Sequence, residues 1–282
     1  MTAAPVPGFA GDNHLMIELI TPDDFIHSDP FILLTDHRLD VGTGTIRAPH
    51  PHAGFETVTL FLEGSIRDRS GGNVLGAGDL QWMTAGSGII HKEDVETMGP
   101  VRVLQLRLTL PKAQRWTTPS LEAIRLNSVP IRRMPGVEAR LYSGISGNHH
   151  STTRNHVPMT MVDIKMESGA SFEQDVPTWY NGFVYVIDGC ARLGADGAAL
   201  RQGQVGWLDR PEEDGPATLP IVSGEEGARL ILYAGQPQRE SIVVYGPFIG
   251  ESRDDVVRLY NNYRQGRFQR INHLSRAGSC EE

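Results

Sequence analysis

Four side chains in the N-terminal part of the chain have the types and spacing to hold a transition-metal ion. Two are His50 and His52, in Pro49-His50-Pro51-His52-Ala53-Gly54-Phe55-Glu56. The others are His91 and Glu93, which close the run Gly78-Asp79-Leu80-Gln81-Trp82-Met83-Thr84-Ala85-Gly86-Ser87-Gly88-Ile89-Ile90-His91-Lys92-Glu93. In extended chain, residues i and i+2 point to the same side. Each pair therefore presents two donors to one face, and two such pairs on facing strands converge on one point. Imidazole nitrogen and carboxylate oxygen suit a divalent first-row metal. Three neutral nitrogens and one carboxylate leave two positions of an octahedral ion open, close to the two-histidine, one-carboxylate site of non-haem iron oxygenases. A closed structural zinc site would more usually be built from cysteine. Pro51 stiffens the segment between the first two donors and removes a backbone N–H, which places it at a sheet edge or barrel rim.

Other residues have two readings. Glu56 shares strand parity with His52 and is read as a residue supporting the ligands or packing the strand, with direct coordination the weaker alternative. Trp82 and Met83 are candidates to wall a metal cavity, although a Trp–Met pair on a strand is more often plain core. His149, His150 and His156 sit among Gly, Ser, Asn and Thr and read as an exposed loop. His14, His27, His37 and His273 lack a partner at ligand spacing. No nucleophile elbow, Walker loop or dinucleotide fingerprint is present.

The elements that must position these residues read as strands. Runs such as His14–Ile20, Thr57–Leu62, Val101–Leu110, Met159–Lys165, Gly182–Ile187 and Ala228–Ala234 are rich in β-branched and apolar residues, and several alternate. In Val101–Leu110 one parity carries Val101, Val103, Gln105, Arg107 and Thr109. The other carries Arg102, Leu104, Leu106, Leu108 and Leu110, and reads as the core face. Turn clusters separate the runs, for example Gly76-Ala77-Gly78-Asp79. One long helix is expected near the end: Ser252 with Asp255 forms a capping box, apolar residues recur from Val256 to Tyr263, and Gly266 supplies a stop. A short helix around Pro111–Trp116 is a further candidate, and Pro119–Pro135 reads as a linker with a lead-in strand.

The two halves repeat. Leu62-Glu63-Gly64 matches Ile187-Asp188-Gly189, Gly78 matches Gly203 and Trp82 matches Trp207, all at an offset of 125 residues. That offset carries His50, His52, His91 and Glu93 to Asp175, Pro177, Pro216 and Thr218, which form no ligand set. The second copy is expected to bind no metal.

Bulk properties narrow the function. The 282 residues suffice for one large domain or two ordinary ones. A net charge of −8 argues against direct binding to nucleic acid, which needs a basic surface. The sequence holds no run of 18 apolar residues and no secretory signal, so neither membrane nor export is expected. Two cysteines, Cys190 and Cys280, fit a reducing cytoplasm.

His-x-His followed by Glu56, Gly78 and the distal His91 resembles the paired motifs of cupins, although Gly64 falls one residue late and Thr84 stands where proline is usual. The strings HPHAGFETVT, GDLQWMTAGSGIIHKE, YGPFIG and NYRQGRF resemble the pirin family across nearly the whole chain. The resemblance implies an all-β fold of two tandem cupin (double-stranded β-helix, or jelly-roll) barrels with a short C-terminal helix. Expected boundaries are 1–118 for the metal-holding cupin, 119–136 for the linker and lead-in strand, 137–250 for a metal-free cupin and 251–282 for the helical tail. It also implies one mononuclear divalent ion on His50, His52, His91 and Glu93. Fe(II) is favoured, with Ni, Zn, Cu or Mn as substitutes. The implied activity is an iron-dependent quercetin 2,3-dioxygenase type of oxidation of a polyphenol such as a flavonol, with Glu93 as general base. The alternative is a non-catalytic, iron-dependent redox-sensing module that modulates a protein partner such as a transcriptional regulator or metabolic enzyme. A cytoplasmic monomer is expected. Ala53 and Lys92 depart from the residues common in the family and bear on substrate or partner identity.

Overall fold

A computed structural model describes residues 4–271 apart from 9, 11, 12, 41, 69–72, 98, 195, 196, 198 and 210–214, and gives backbone alone at 24, 43–47, 68, 92–96, 216 and 271. Cys280 and His273 lie outside the described residues. The alternating runs fold as strands, and the chain divides into two compact units. One comprises Ala4–Ile26, Phe31–Ser128 and the described residues from Gln238 onward. The other comprises His27–Pro30 and Val129–Pro237. Each is a cupin barrel, and the C-terminal helix belongs to the first unit.

In the first unit one sheet runs, edge to edge, Val6–Pro7, His14–Ile20, Phe31–Leu39, Val101–Thr109, Phe55–Glu63, Leu80–Thr84 and Ser120–Ile124. The facing sheet is built on Ile89–Thr97, which pairs with Thr43–His52, Ser65–Asp68 and Gln269–Ile271. Between the sheets lies a cluster drawn from both: Leu39, Phe61, Leu75, Met83, Ile89, Val101 and Val103. This cluster corrects the sequence reading of the Val101–Thr109 strand. Both its faces are buried, but the barrel interior is the parity of Val101, Val103, Gln105 and Arg107. The leucine parity lies on the opposite face of the sheet, where Arg102 makes a two-pronged pair with buried Asp36 at 3.1 and 2.7 Å. Polarity misled because this barrel interior is itself partly polar.

The stretch expected to be a linker contributes structure. Ser120–Ile124 pairs with Leu80–Thr84, and Asp79 in the preceding turn accepts from Leu126 N–H at 2.8 Å and from the Arg125 guanidinium at 2.9 Å. The lead-in strand is Ile131–Met134. Around Pro111–Trp116 the chain forms a single 3-10 turn, Lys112–Gln114. The C-terminal helix spans Arg253–Arg264, and Ser252 Oγ accepts from Asp255 N–H at 3.2 Å at its start.

The repeat is visible bond by bond. Gly78 N–H donates to Phe61 C=O at 2.8 Å, and Gly203 N–H to Val186 C=O at 2.8 Å. Phe61 N–H donates to Asp79 C=O, and Val186 N–H to Gln204 C=O, both at 3.0 Å. Trp82 pairs with Val58 as Trp207 pairs with Phe183. Gly64 and Gly189 both sit at φ +70, and a Cβ on either would lie 2.2 Å from a carbonyl oxygen of the neighbouring strand. All four correspondences obey the offset of 125. Before and after this stretch the offset is 127: the Asp36–Arg102 pair recurs as Asp163–Arg229, again two-pronged, at 3.1 and 2.9 Å. The second copy is therefore two residues shorter between Asp163 and Val186 and two residues longer between Trp207 and Arg229.

Among the described residues, no helix is long and apolar enough to cross a membrane.

Candidate metal centre

His50 and His52 end the Thr43–His52 strand, and His91 lies on the antiparallel Ile89–Thr97 strand. The register sets His50 opposite His91, His52 opposite Ile89 and Arg47 opposite Glu93. One ligand atom from each of the three histidines falls within 4.8 Å of the others. Ring centroids are 4.8 Å apart for His50–His52, 4.8 Å for His50–His91 and 6.0 Å for His52–His91. His52 and His91 are buried and His50 is half-buried. His50 Nδ1–H donates to Ala48 C=O at 2.8 Å, which puts the imidazole lone pair on Nε2. Three neutral imidazoles at this spacing fit a divalent ion with positions left for other ligands. The Glu93 side chain lies outside the described residues, as does that of Lys92.

The C-terminal segment fixes the end of the ligand strand. Ala53 N–H donates to Pro247 C=O at 3.3 Å, and Ile249 N–H donates to Ala53 C=O at 3.0 Å. Gly54, at φ +85, lies where a Cβ would meet the Ile249 carbonyl oxygen at 1.9 Å. Ala53, Phe248, Leu259 and Phe268 form one apolar cluster, so the helix packs behind the turn that follows His52. Gln269–Ile271 runs parallel to Ile89–His91, with Ile271 opposite His91. The motifs YGPFIG and NYRQGRF, far from the histidines in sequence, thus buttress them.

Glu56 stands apart from the three imidazoles. The turn at Ala53-Gly54 breaks the strand, so the parity count from His52 does not carry through. Glu56 lies across from Thr84 and Leu108, on the face opposite Phe55. Its Oε1 accepts from Thr84 Oγ1 at 2.7 Å, while buried Oε2 lacks a well-aligned partner. Burial pushes its pKa from 4.5 up to about 7, against the lowering pull of Thr84 and of the nearby Trp82 indole. Met83 lies in the barrel interior with Phe61 and Ile89. Trp82 points to the other face with Val58 and is buried.

In the second barrel Asp175 pairs with Thr218 and Pro177 with Pro216. Phe172, Val176 and Ile221 of this strand pair belong to the second barrel's core, so the inward face carries Phe172, Gln174 and Val176 opposite Ile221, Leu219 and Ala217, while Asp175 and Thr218 face outward. None of the inward residues is a histidine or a carboxylate, so this strand pair makes no ligand set, and Thr218 Oγ1 donates to Asp175 Oδ1 at 2.9 Å on the outer face. His149 and His150 form a two-residue strand with Ile145–Ser146, and no metal-spaced group of described residues includes them or His156.

Sequence reasoning missed two sets of residues. His14 and His37 lie on neighbouring strands, buried, with Nε2 and Nδ1 2.8 Å apart. Their separation in sequence hid that contact. Thr35, Thr59, Gln105 and Arg107 lie on the interior face of the metal barrel; the polar parity of Val101–Leu110 was the available signal.

The family model described as Pirin matches residues 12–108, and that described as Pirin C-terminal cupin domain matches residues 161–269. The chain belongs to the pirin family. Pirin-1 of Arabidopsis thaliana is 31% identical over 265 residues, covering 91% of this chain and 89% of the relative. The crystal structure of quercetin 2,3-dioxygenase from Acinetobacter baumannii superposes with a TM-score of 0.80 at 25% identity, covering 95% of this chain and 96% of that one. The bacterial pirin YhhW of Escherichia coli, crystallised with nickel(II), shares the fold at a TM-score of 0.61 and 15% identity, covering 83% of this chain and 95% of that one.

Proposed function

We propose that this pirin-family chain is a metal-dependent dioxygenase of the quercetin 2,3-dioxygenase type, using Fe(II) held by His50, His52, His91 and Glu93. The observation that carries the reading is the convergence of three imidazoles within 4.8 Å in one barrel, where the inward face of the corresponding strand pair in the other carries Phe172, Gln174, Val176, Ala217, Leu219 and Ile221. The likeness to the A. baumannii quercetin 2,3-dioxygenase supports the choice of activity. An ion bound there would supply Lewis acidity, lowering the pKa of a coordinated substrate hydroxyl. The three imidazoles would hold it as neutral donors, with Ala48 C=O fixing the His50 tautomer. Glu93 would accept the hydroxyl proton as general base. The substrate would be a small polyphenol, and the enzyme a cytoplasmic monomer.

The test compares iron-loaded wild type with Glu93→Gln for metal content, quercetin consumption and oxygen uptake. Wild type should consume both flavonol and oxygen. The variant should keep most of its metal, because three histidines and an amide oxygen remain, and lose about a hundredfold or more in rate with its base. Iron-loaded wild type inert towards flavonols would overturn the quercetinase reading and leave a redox-responsive binding module. Elemental analysis should cover nickel as well as iron, since the E. coli relative crystallised with nickel.

A further inference from the structure

Equivalent interior positions of the two barrels have opposite polarity. In the metal barrel Thr35, His37, Thr59, Gln105 and Arg107 share the interior face. The repeat carries them to Val162, Ile164, Val184, Leu232 and Ala234, every one a buried member of the second barrel's apolar core. The registers agree. Gln105 lies between Thr35 and Thr59, as Leu232 lies between Val162 and Val184. One scaffold thus closes around an apolar filling in one copy, so closure does not require the polar groups of the other. Burying them costs free energy unless they are hydrogen-bonded.

The polar set is linked and reaches the metal centre. Thr35 Oγ1 lies 2.7 Å from His37 Nε2 and donates to Gln105 C=O at 3.3 Å. Gln105 Nε2 donates to Thr59 Oγ1 at 3.4 Å. Further along the same strand, the Arg107 guanidinium lies 5.3 Å from the centre of the Phe55 ring. That ring meets His52 edge-on, also at 5.3 Å. A single aromatic ring therefore joins a half-buried guanidinium to a candidate metal ligand. A guanidinium fork is the side chain best matched to a carboxylate.

We infer that the interior of the metal barrel receives a hydroxylated aromatic carboxylic acid, with Arg107 as the anchor of its carboxylate. The inference rests on the proposed metal-dependent activity and narrows its substrate class from neutral flavonols to phenolic acids. The phenolic hydroxyl would face His50, His52 and His91. Phe55, itself fully buried, would hold Arg107 and His52 in place, and Gln105 and Thr59 would serve further hydroxyl groups. Arg107 is thus a specificity-determining residue.

The test uses zinc-loaded protein, which is redox-silent, with zinc per chain measured first. Calorimetric titration compares 3,4-dihydroxybenzoate with its methyl ester, which keeps both hydroxyls and loses the negative charge. Wild type should bind the acid at least about tenfold more tightly than the ester, as expected for a charge-assisted pair. Arg107→Met should abolish that preference, and Arg107→Lys should restore part of it. Circular dichroism checks the fold of each variant. An independent variant, Thr59→Val with Gln105→Leu, copies the second barrel. It should raise the melting temperature while weakening acid binding, the trade expected when site residues are exchanged for core. Equal affinity for acid and ester in wild type, no acid binding, or an unchanged preference in Arg107→Met would overturn the inference. Failure to take up zinc would instead count against the metal reading. The acid-to-ester ratio, measured on the metal-free protein, would then still decide the role of Arg107.

Discussion

Replacing Glu56 by Gln should change how stability depends on pH. The carboxyl is buried, accepts one hydrogen bond from Thr84, and has a pKa raised from 4.5 to about 7 by burial. At about 1.4 kcal/mol per pH unit, that gap corresponds to about 3 kcal/mol. The folded protein holds this proton more tightly than the unfolded chain does. The contribution is therefore complete below pH 4.5 and is lost as pH rises through about 7. Between pH 5 and pH 8 the wild type should lose about 2.5 kcal/mol from this group alone. Glutamine keeps an oxygen for the Thr84 hydroxyl and cannot ionise. It carries a fixed cost, because its amide is not a carboxylic acid, but no slope. The assay is urea unfolding of chelator-treated protein at pH 5, 6, 7 and 8 for both proteins, with infrared detection of a protonated carboxyl at pH 6 as a direct check. The stability difference should move in favour of the variant by about 2.5 kcal/mol across the range. Parallel curves, or an infrared band that survives in the variant, would refute the assignment of a raised pKa to Glu56.

Further outcomes follow from the same geometry. Purified protein should carry one transition-metal ion per chain by elemental analysis, since the described residues form one metal-spaced histidine group and the second barrel lacks the set. His91→Ala should empty the site while circular dichroism stays that of a β protein, because the barrel cores are apolar and independent of the ion. Arg102→Met should cost about 3–5 kcal/mol by leaving Asp36 charged and buried, whereas the double variant with Asp36→Leu should recover most of that loss in urea unfolding.

What the sequence disclosed was local. His50 with His52 and His91 with Glu93 are each two residues apart, and extended backbone alone puts such pairs on one face. Strand runs, the Ser252 cap and the glycine-marked repeat are local in the same sense. What stayed hidden depends on pairing across distance. A glycine turn after His52 broke the parity that linked it to Glu56. A fixed offset carried the histidines to Asp175 and Thr218, which face outward, because it cannot register which parity of a distant strand pair points inward. The partnership of His14 with His37, and the parallel pairing of Gln269–Ile271 with Ile89–His91, need the register of strands far apart in the chain. The core face of Val101–Thr109 was misread because hydrophobicity marks an interior only when that interior is apolar throughout, and this one also holds Thr35, Gln105 and Arg107.

The devices shared by the two barrels explain how one scaffold carries two interiors. Gly64 and Gly189 allow strands to approach at the same kink, Gly78 and Gly203 make the same turn, and Asp36–Arg102 and Asp163–Arg229 tie the same pair of strands. Gly64 and Gly189 act through backbone approach and Gly78 and Gly203 through backbone hydrogen bonds, while the two ion pairs lie on the sheet face turned away from the barrel interior. Closure is therefore set by backbone geometry and the outer sheet face, and the interior face is released from that duty. In the second copy it is occupied by Val162, Val184, Leu230 and Leu232, which add apolar burial at about 25 cal/mol per Å². In the first copy the same positions hold Thr35, Thr59, Val103 and Gln105, which contribute less apolar burial and put polar groups on the interior face. The stability given up on that face is tolerable because the second barrel and the shared devices do not depend on it.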